Sequence, residues 1–244
     1  TDLPAEVLAG GQDLVVVGRA GIGLDNVDTE AATTQGVMVV NAPQSNILTT
    51  AEHTLALLLA QARNIPQAHA ALVEGRWEGV ELADKVLGIV GLGRIGKLVA
   101  QRASAFGMRV VAHDPFVAPE RARQINVELL GLEELVRVSD FLTLHVVTTP
   151  DTLRMVGKEL LSLAKPNLRV INVSRGGVID EDALAEAIRE GRIGGAAIDV
   201  FATEPTTSSP LFELPQVVVT PHLGASTAEA QDKAGETIAE QVAL

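Results

Sequence analysis

The chain has 244 residues, 47% of them hydrophobic but only 2% aromatic, so it can bury a large aliphatic core of the kind that parallel sheets under helices use. It contains no cysteine, which excludes disulfides, thiolate metal sites and a cysteine nucleophile and fits a reducing cytosol. A net charge of −12 argues against a nucleic-acid or anionic-membrane partner, and no apolar run is long enough to span a bilayer. No secretory signal opens the sequence, and a cytoplasmic location is the expectation.

Short apolar runs alternate with amphipathic stretches along the chain, the signature of α/β architecture. The pattern predicts a strand over 13–17, a glycine-rich loop over 18–26, a short helix over 29–35 and a strand over 37–40. A long helix follows over 50–63, with Leu55, Leu58, Leu59 and Ala62 in one stripe that Leu57 widens. Pro66 is expected to kink or end it.

Residues 86–114 are the most informative stretch. An apolar run over 86–90 runs into Gly91-Leu92-Gly93-Arg94-Ile95-Gly96, followed by Ile95, Val99, Ala103 and Phe106 at helical spacing. A second apolar run over 110–112 ends near Asp114. This is the dinucleotide-binding fingerprint in its strand–turn–helix–strand context. Gly91 permits the tight turn, Gly93 lets the backbone approach a pyrophosphate, and Gly96 lets the helix lie close to the strand. The N–H groups at the helix start attract the phosphates. Asp114 lies about eighteen residues past Gly96, near the roughly twenty expected for the acid on the ribose hydroxyls. A carboxylate there repels a 2′-phosphate, so the cofactor read from the sequence is NAD rather than NADP.

Further strands are predicted over 141–146, 169–173, 196–200 and 217–220, with helices over 132–138, 158–164 and 180–190, the last capped by Asp180. Most of these strands end at polar clusters: His145, the segment from Asn172 to Arg175, Asp199, and the segment from Thr220 to His222. In open parallel sheets ligands bind beyond the carboxyl ends of the strands, so the clusters are expected to share one crevice. The fold class is a Rossmann-type doubly wound parallel sheet with a second, smaller, flavodoxin-like domain, here incomplete at its N-terminal side. The expected boundaries are 1–46 for the smaller domain, 47–227 for the dinucleotide domain, and 228–244 for a helix returning to the smaller one.

His222 follows a strand end, and imidazole is the side chain that both gives and takes a proton near neutral pH. Alcohol oxidation by hydride transfer needs such a group. Glu204 is a candidate partner, because a carboxylate beside an imidazole favours the imidazolium and orients the ring. Arg175 is suited to hold a substrate carboxylate through two parallel hydrogen bonds. On spacing alone, Glu204 reads equally well as a solvated loop acid and Arg175 as a surface residue. His53, His69 and His113 read as ordinary core or surface histidines. Nothing has the spacing of a metal site, and no metal is expected.

These segments together resemble the D-2-hydroxyacid dehydrogenase family over nearly the whole chain. The resemblance rests on the fingerprint, on the loop from Arg19 to Asp28, and on Pro221-His222-Leu223-Gly224-Ala225-Ser226-Thr227 and the four residues after it. It implies that Arg175, Glu204 and His222 are catalytic. It implies cofactor contacts from Gly91, Gly93, Arg94, Ile95, Gly96, Asp114 and Ser174, with Asp199 on the nicotinamide amide. Arg19, Gly21, Ile22 and Gly23 fall on substrate-loop positions. The substrate implied is a small phosphorylated 2-hydroxy acid, and the assembly implied is a homodimer or homotetramer, with Leu72, Val73 and Trp77 as interface candidates. The family's smaller domain begins some tens of residues before the position of Thr1, so the chain is expected to be a piece of a longer protein. The piece lacks at least one phosphate-binding arginine, and regulatory modules downstream of Leu244. The stretch from Trp77 to Leu82 lacks the basic residues that relatives place after this tryptophan; Arg76 is the nearest substitute. Two other readings stay open: a general D-2-hydroxyacid reductase, and a dinucleotide-sensing corepressor-like binding protein. Glu204 argues against a formate dehydrogenase, which lacks the acid partner of the histidine.

Overall fold

The chain forms two units, residues 1–49 together with 225–244, and residues 50–224. The computed structural model describes residues 2–70 and 79–243. Leu72, Val73, Arg76 and Trp77 therefore lie outside the described residues.

In the smaller unit, α1 (Ala5–Ala9) precedes β1 (Val16–Arg19), and α2 (Thr29–Thr34) crosses over to β2 (Met38–Asn41). The two strands pair in parallel, Val16 opposite Met38 and Arg19 opposite Asn41. Asp28 caps α2 by accepting the Ala31 N–H at 2.9 Å. The strand predicted over 13–17 starts later, at Val16, and runs on to Arg19. The reason is local: the N–H groups of Gly10, Gly11 and Leu14 bond back to Val7, Leu8 and Gly11, so the end of α1 commits these residues to turns. A C-terminal helix, α10 (Ala228–Ala243), packs on β1. Gly18 makes room for it: a Cβ there would lie 2.6 Å from Ile238 and 2.8 Å from Val242.

α3 (Ile47–Arg63), which lies in the larger unit from Thr50 onward, begins earlier than predicted. Asn64, with a left-handed backbone (φ 50°), ends it. Pro66 then falls in the first turn of α4 (Ile65–Ala70), where its missing N–H has no partner to lose. The sheet is built from β3 (Val86–Val90), β4 (Arg109–His113), β5 (Glu128–Leu129), β6 (Phe141–Leu144), β7 (Arg169–Asn172), β8 (Gly195–Ile198) and β9 (Val217–Val219). All seven run parallel in the order β5-β4-β3-β6-β7-β8-β9. The connections include α5 (Arg94–Ala105), α6 (Pro119–Arg123), α7 (Leu132–Val138), α8 (Lys158–Leu161) and α9 (Glu181–Arg189). Asp180 caps α9, accepting from Ala183 N–H at 3.1 Å.

Both faces of this sheet are apolar, as a sheet under helices on two sides requires. Successive strand residues alternate between two cores, the period-2 geometry of a strand. Leu142, Leu144, Val170 and Ile198 join residues of α7, α8 and α9 on one face. Leu87, Ile89, Phe141 and Ile171 join residues of α3 and α5 on the other. The strand order reverses direction at β3 and β6, so their carboxyl ends flank the switch point where such sheets bind ligands. Among the described residues no helix is long and apolar enough to cross a membrane.

Leu142 is fully buried in a central strand. Leu142→Ala should therefore lower the free energy of urea unfolding by about 2–5 kcal/mol, and a loss under about 1 kcal/mol would contradict the packing described.

Candidate active site

At the switch point, Gly91 leaves β3 with φ +93°, and a Cβ on it would sit 2.4 Å from the His145 carbonyl oxygen. A Cβ on Gly96 would sit 2.2 Å from the Gly91 carbonyl oxygen, so the start of α5 lies directly on the end of β3. Gly93 differs: nothing lies within 4 Å of a Cβ there, which leaves its backbone open to an incoming group. Gly93 is the N-cap of α5 and makes no side-chain capping bond, and the first turn holds no acid. A first turn with no acid and no side-chain cap suits a pyrophosphate at the helix start, and Arg94 adds a cation. Asp114, just past β4, accepts the N–H groups of Leu92 at 2.8 Å and Phe116 at 2.9 Å, which ties the acid to the glycine turn.

Beyond β9, His222 Nδ1 lies 2.6 Å from Glu204 Oε2, while Glu204 Oε1 accepts the Phe201 N–H at 2.8 Å. A carboxylate only accepts, so Nδ1 carries the proton and Nε2 is left for a reactant. The side chains are 47% and 32% exposed, open enough to meet a small molecule. An apolar hollow of about 450 Å³, walled by Phe201, Phe212, Val219 and Pro221, adjoins the pair. His222 itself has a left-handed backbone, φ 56°, which a non-glycine residue holds only when its neighbours fix it.

Asp199 is what fixes it. Its carbonyl oxygen accepts the His222 N–H at 2.8 Å, and its carboxylate accepts Leu223 N–H at 2.7 Å and Gly224 N–H at 2.9 Å. Thr220 Oγ1 donates to Oδ1 at 2.5 Å, and His53 Nε2 lies 3.2 Å from the same oxygen. The side chain is fully buried. Burial raises the carboxyl, but the bonds from His53, Thr220 and Leu223 outweigh it and hold the group below the usual 3.8. Sequence reading placed Thr220 in a strand-end polar cluster but gave it no role, and it missed His53 as a site residue. Nothing local singles His53 out, because Thr50, Thr54 and Gln61 are also polar residues on the inner side of the same helix.

Arg175 follows β7 in a turn built by the buried Asn172, whose Oδ1 accepts Ser174 N–H at 3.0 Å and Ser174 Oγ at 2.8 Å. Asn172 Nδ2 donates to the Arg175 carbonyl at 2.9 Å, and Arg175 Nη1 donates to the Ser174 carbonyl at 2.8 Å. A Cβ on Gly176 would overlap the Phe201 carbonyl, so this turn and the loop after β8 touch backbone to backbone. Arg175, Ser174, Glu204, His222, Asp199, Asp114 and the fingerprint thus all stand on one sheet's carboxyl ends. Arg19, Gly21, Ile22 and Gly23 lie in the smaller unit. There Arg19 folds over Gly21, while Ala42 N–H and Asn41 Nδ2 hold the carbonyls of Gly21 and Ile22 at 2.9 and 2.7 Å.

Residues 55–224 match the D-isomer specific 2-hydroxyacid dehydrogenase, NAD binding domain. The chain belongs to this family, and its cofactor is NAD. Across its whole length it is 57% identical to a D-3-phosphoglycerate dehydrogenase of Mycobacterium tuberculosis, and it spans 47% of that protein, about half the length of the curated relatives it matches. Among solved structures, the TT0316 protein of Thermus thermophilus is 38% identical with a TM-score of 0.89, over 98% of this chain and 78% of that one. The D-lactate dehydrogenase of Aquifex aeolicus, complexed with NAD and lactic acid, is 29% identical with a TM-score of 0.87, over 99% of this chain and 79% of its own.

His145 pairs its Nε2 with Thr143 Oγ1 at 3.1 Å, and its Nδ1 is shut off from solvent. Burial pushes this imidazole from 6.5 down to about 4. An unfolded chain takes up a proton across that range and the folded one does not, so stability is whole above pH 6.5 and is lost as the pH falls towards 4. Asp199, held below 3.8, keeps its contribution until the pH falls through that lower value. Urea unfolding measured from neutral pH down to about pH 4 should show the first decline, and His145→Gln should flatten it. An unchanged slope in His145→Gln would remove this histidine from the account.

Proposed function

We propose that the chain is the catalytic part of an NAD-dependent D-3-phosphoglycerate dehydrogenase, which oxidises 3-phospho-D-glycerate to 3-phosphohydroxypyruvate, the first step of serine synthesis. The observation that carries this reading is the His222–Glu204 pair at 2.6 Å, standing at the carboxyl end of a sheet that bears the NAD fingerprint. The name shared by relatives at up to 57% identity supports the choice of substrate.

In this reading Nε2 of His222 takes the proton from the C2 hydroxyl in oxidation and returns it in reduction. Glu204 keeps the proton of Nδ1 in place and stabilises the imidazolium that forms. Arg175 holds the substrate carboxylate. Arg19, Gly21, Ile22 and Gly23 match the family's substrate-loop positions, with backbone N–H groups and a guanidinium suited to the oxygens of an acid. Bound NAD supplies the hydride acceptor. The fingerprint glycines and Arg94 would hold its pyrophosphate, Ile95 would pack against it, and Asp114 would take the ribose hydroxyls. Asp199 is the acid that the resemblance places on the nicotinamide amide, and its carboxylate also holds the turn that carries His222. Cytoplasmic location and assembly as a homodimer or homotetramer belong to the same reading; light scattering on the eluted protein tests the assembly, and a monomer would remove that element.

The intact protein should reduce 3-phosphohydroxypyruvate with NADH far faster than hydroxypyruvate or pyruvate. His222→Ala should lower kcat by about 10²–10⁴-fold with NADH binding retained. Equal rates on all three acids would instead assign a general 2-hydroxyacid reductase. Turnover that survives His222→Ala would defeat the mechanism.

A further inference from the structure

The Asp199 cluster contains one group that the reaction does not call for. His53 sits on α3, with its side chain 19% exposed and far in sequence from the strand ends it touches. Its Nε2 lies 3.2 Å from Asp199 Oδ1 and 3.3 Å from Thr220 Oγ1. The proton positions follow from the donors and acceptors present. The Thr220 hydroxyl has one proton and gives it to Asp199 across 2.5 Å, so towards His53 it can only accept. The Asp199 carboxylate likewise only accepts. Nε2 of His53 therefore bears a proton and shares it between the two oxygens.

We propose that His53 is a positioning residue for His222, acting through Asp199. The chain of contacts is continuous. His53 and Thr220 set the rotation of the Asp199 carboxylate. Its carbonyl and carboxylate then grip the N–H groups of His222, Leu223 and Gly224 in succession. That grip holds His222 at φ 56°, a backbone it would otherwise leave, and so sets where Nε2 of the catalytic imidazole stands. Gly224 tightens the arrangement, because a Cβ there would lie 2.8 Å from Val173 and 3.2 Å from Asp199 Oδ2. Misplacement of a reacting group by about 1 Å costs on the order of a hundredfold in rate, so a loosened turn is felt in kcat before it is felt in binding.

The inference rests on the dehydrogenase reading for its kinetic arm and on the geometry alone for its other arm. In the intact protein, His53→Leu removes the N–H donor, while His53→Gln keeps one at a similar reach. His53→Leu should lower kcat by about tenfold or more, with KM and the NADH dissociation constant within about twofold of the parent protein, and His53→Gln should restore most of the loss. Amide exchange of His222, Leu223 and Gly224 should be about tenfold faster in His53→Leu and close to the parent rate in His53→Gln. If His53→Leu does not fold, His53→Asn, whose amide stops one methylene short, serves in its place with the same expected losses. Unchanged kcat and exchange in His53→Leu would overturn the proposal. So would a parallel fall in thermal stability, NADH affinity and kcat, or a failure of glutamine to restore them. If the parent protein shows no turnover, the dehydrogenase reading fails, and the exchange rates alone then decide the role of His53.

Discussion

A carboxylate cut off from water organises this site. Asp199 follows β8, the strand next to the edge of the larger unit's sheet, and its oxygens are met by donors from a helix, a strand end and the turn beyond it. A buried charge with so many donors is strongly directional, since each lost bond leaves desolvated charge behind. Both ends of the arrangement are therefore stiff. The sheet fixes the backbone of Asp199, and Asp199 fixes the backbone that presents His222. The His222 side chain stays 47% exposed while its attachment is rigid, a division of labour that suits the acid–base role proposed for it.

The same sheet resolves an electrostatic conflict. The protein carries a net charge of −12, and the NAD it binds is itself an anion. Attraction has to be local. The first turns of α7 and α9 each contain two acids, whereas that of α5 contains none and starts with Arg94. The dipole of α5 is thus not offset by acids in its own first turn, as the proposed pyrophosphate contact requires, while α7 and α9 direct theirs at their own side chains. Asp114 is an acid beside this turn, and the bond it accepts from Leu92 N–H fixes its place there.

Much of this was legible in the residues, and what was not has physical reasons. Gly91, Gly93 and Gly96 could be read in advance because each answers a different steric demand, two at crowded positions and one at an open position. His222 was legible from its neighbours, but Glu204 was not separable from a solvated acid by spacing, because only the fold of the 199–205 loop brings its Oε2 to the ring. His53 left no local trace: its partner is 146 residues away, and a helix pattern does not say which polar residue a neighbouring strand end will engage. The short α1, α6 and β5 were not anticipated either, since elements of five, five and two residues are too brief to show a period. The start of β1 was misplaced because a competing turn claimed its first residues, a contest that alternation of apolar side chains does not reveal.

The seat that Gly18 makes for Ile238 and Val242 has a bearing on how the protein is made. A ribosome releases β1 and β2 well before α10, so the apolar side of that two-stranded ribbon waits uncovered while the entire NAD-binding unit emerges and folds. The contact between Gly18 and Ile238 joins residues 220 positions apart, which makes it among the slowest to close. The face of β1 under α10 therefore gains its cover only after synthesis has passed Ile238, later than the strands of the larger unit gain theirs.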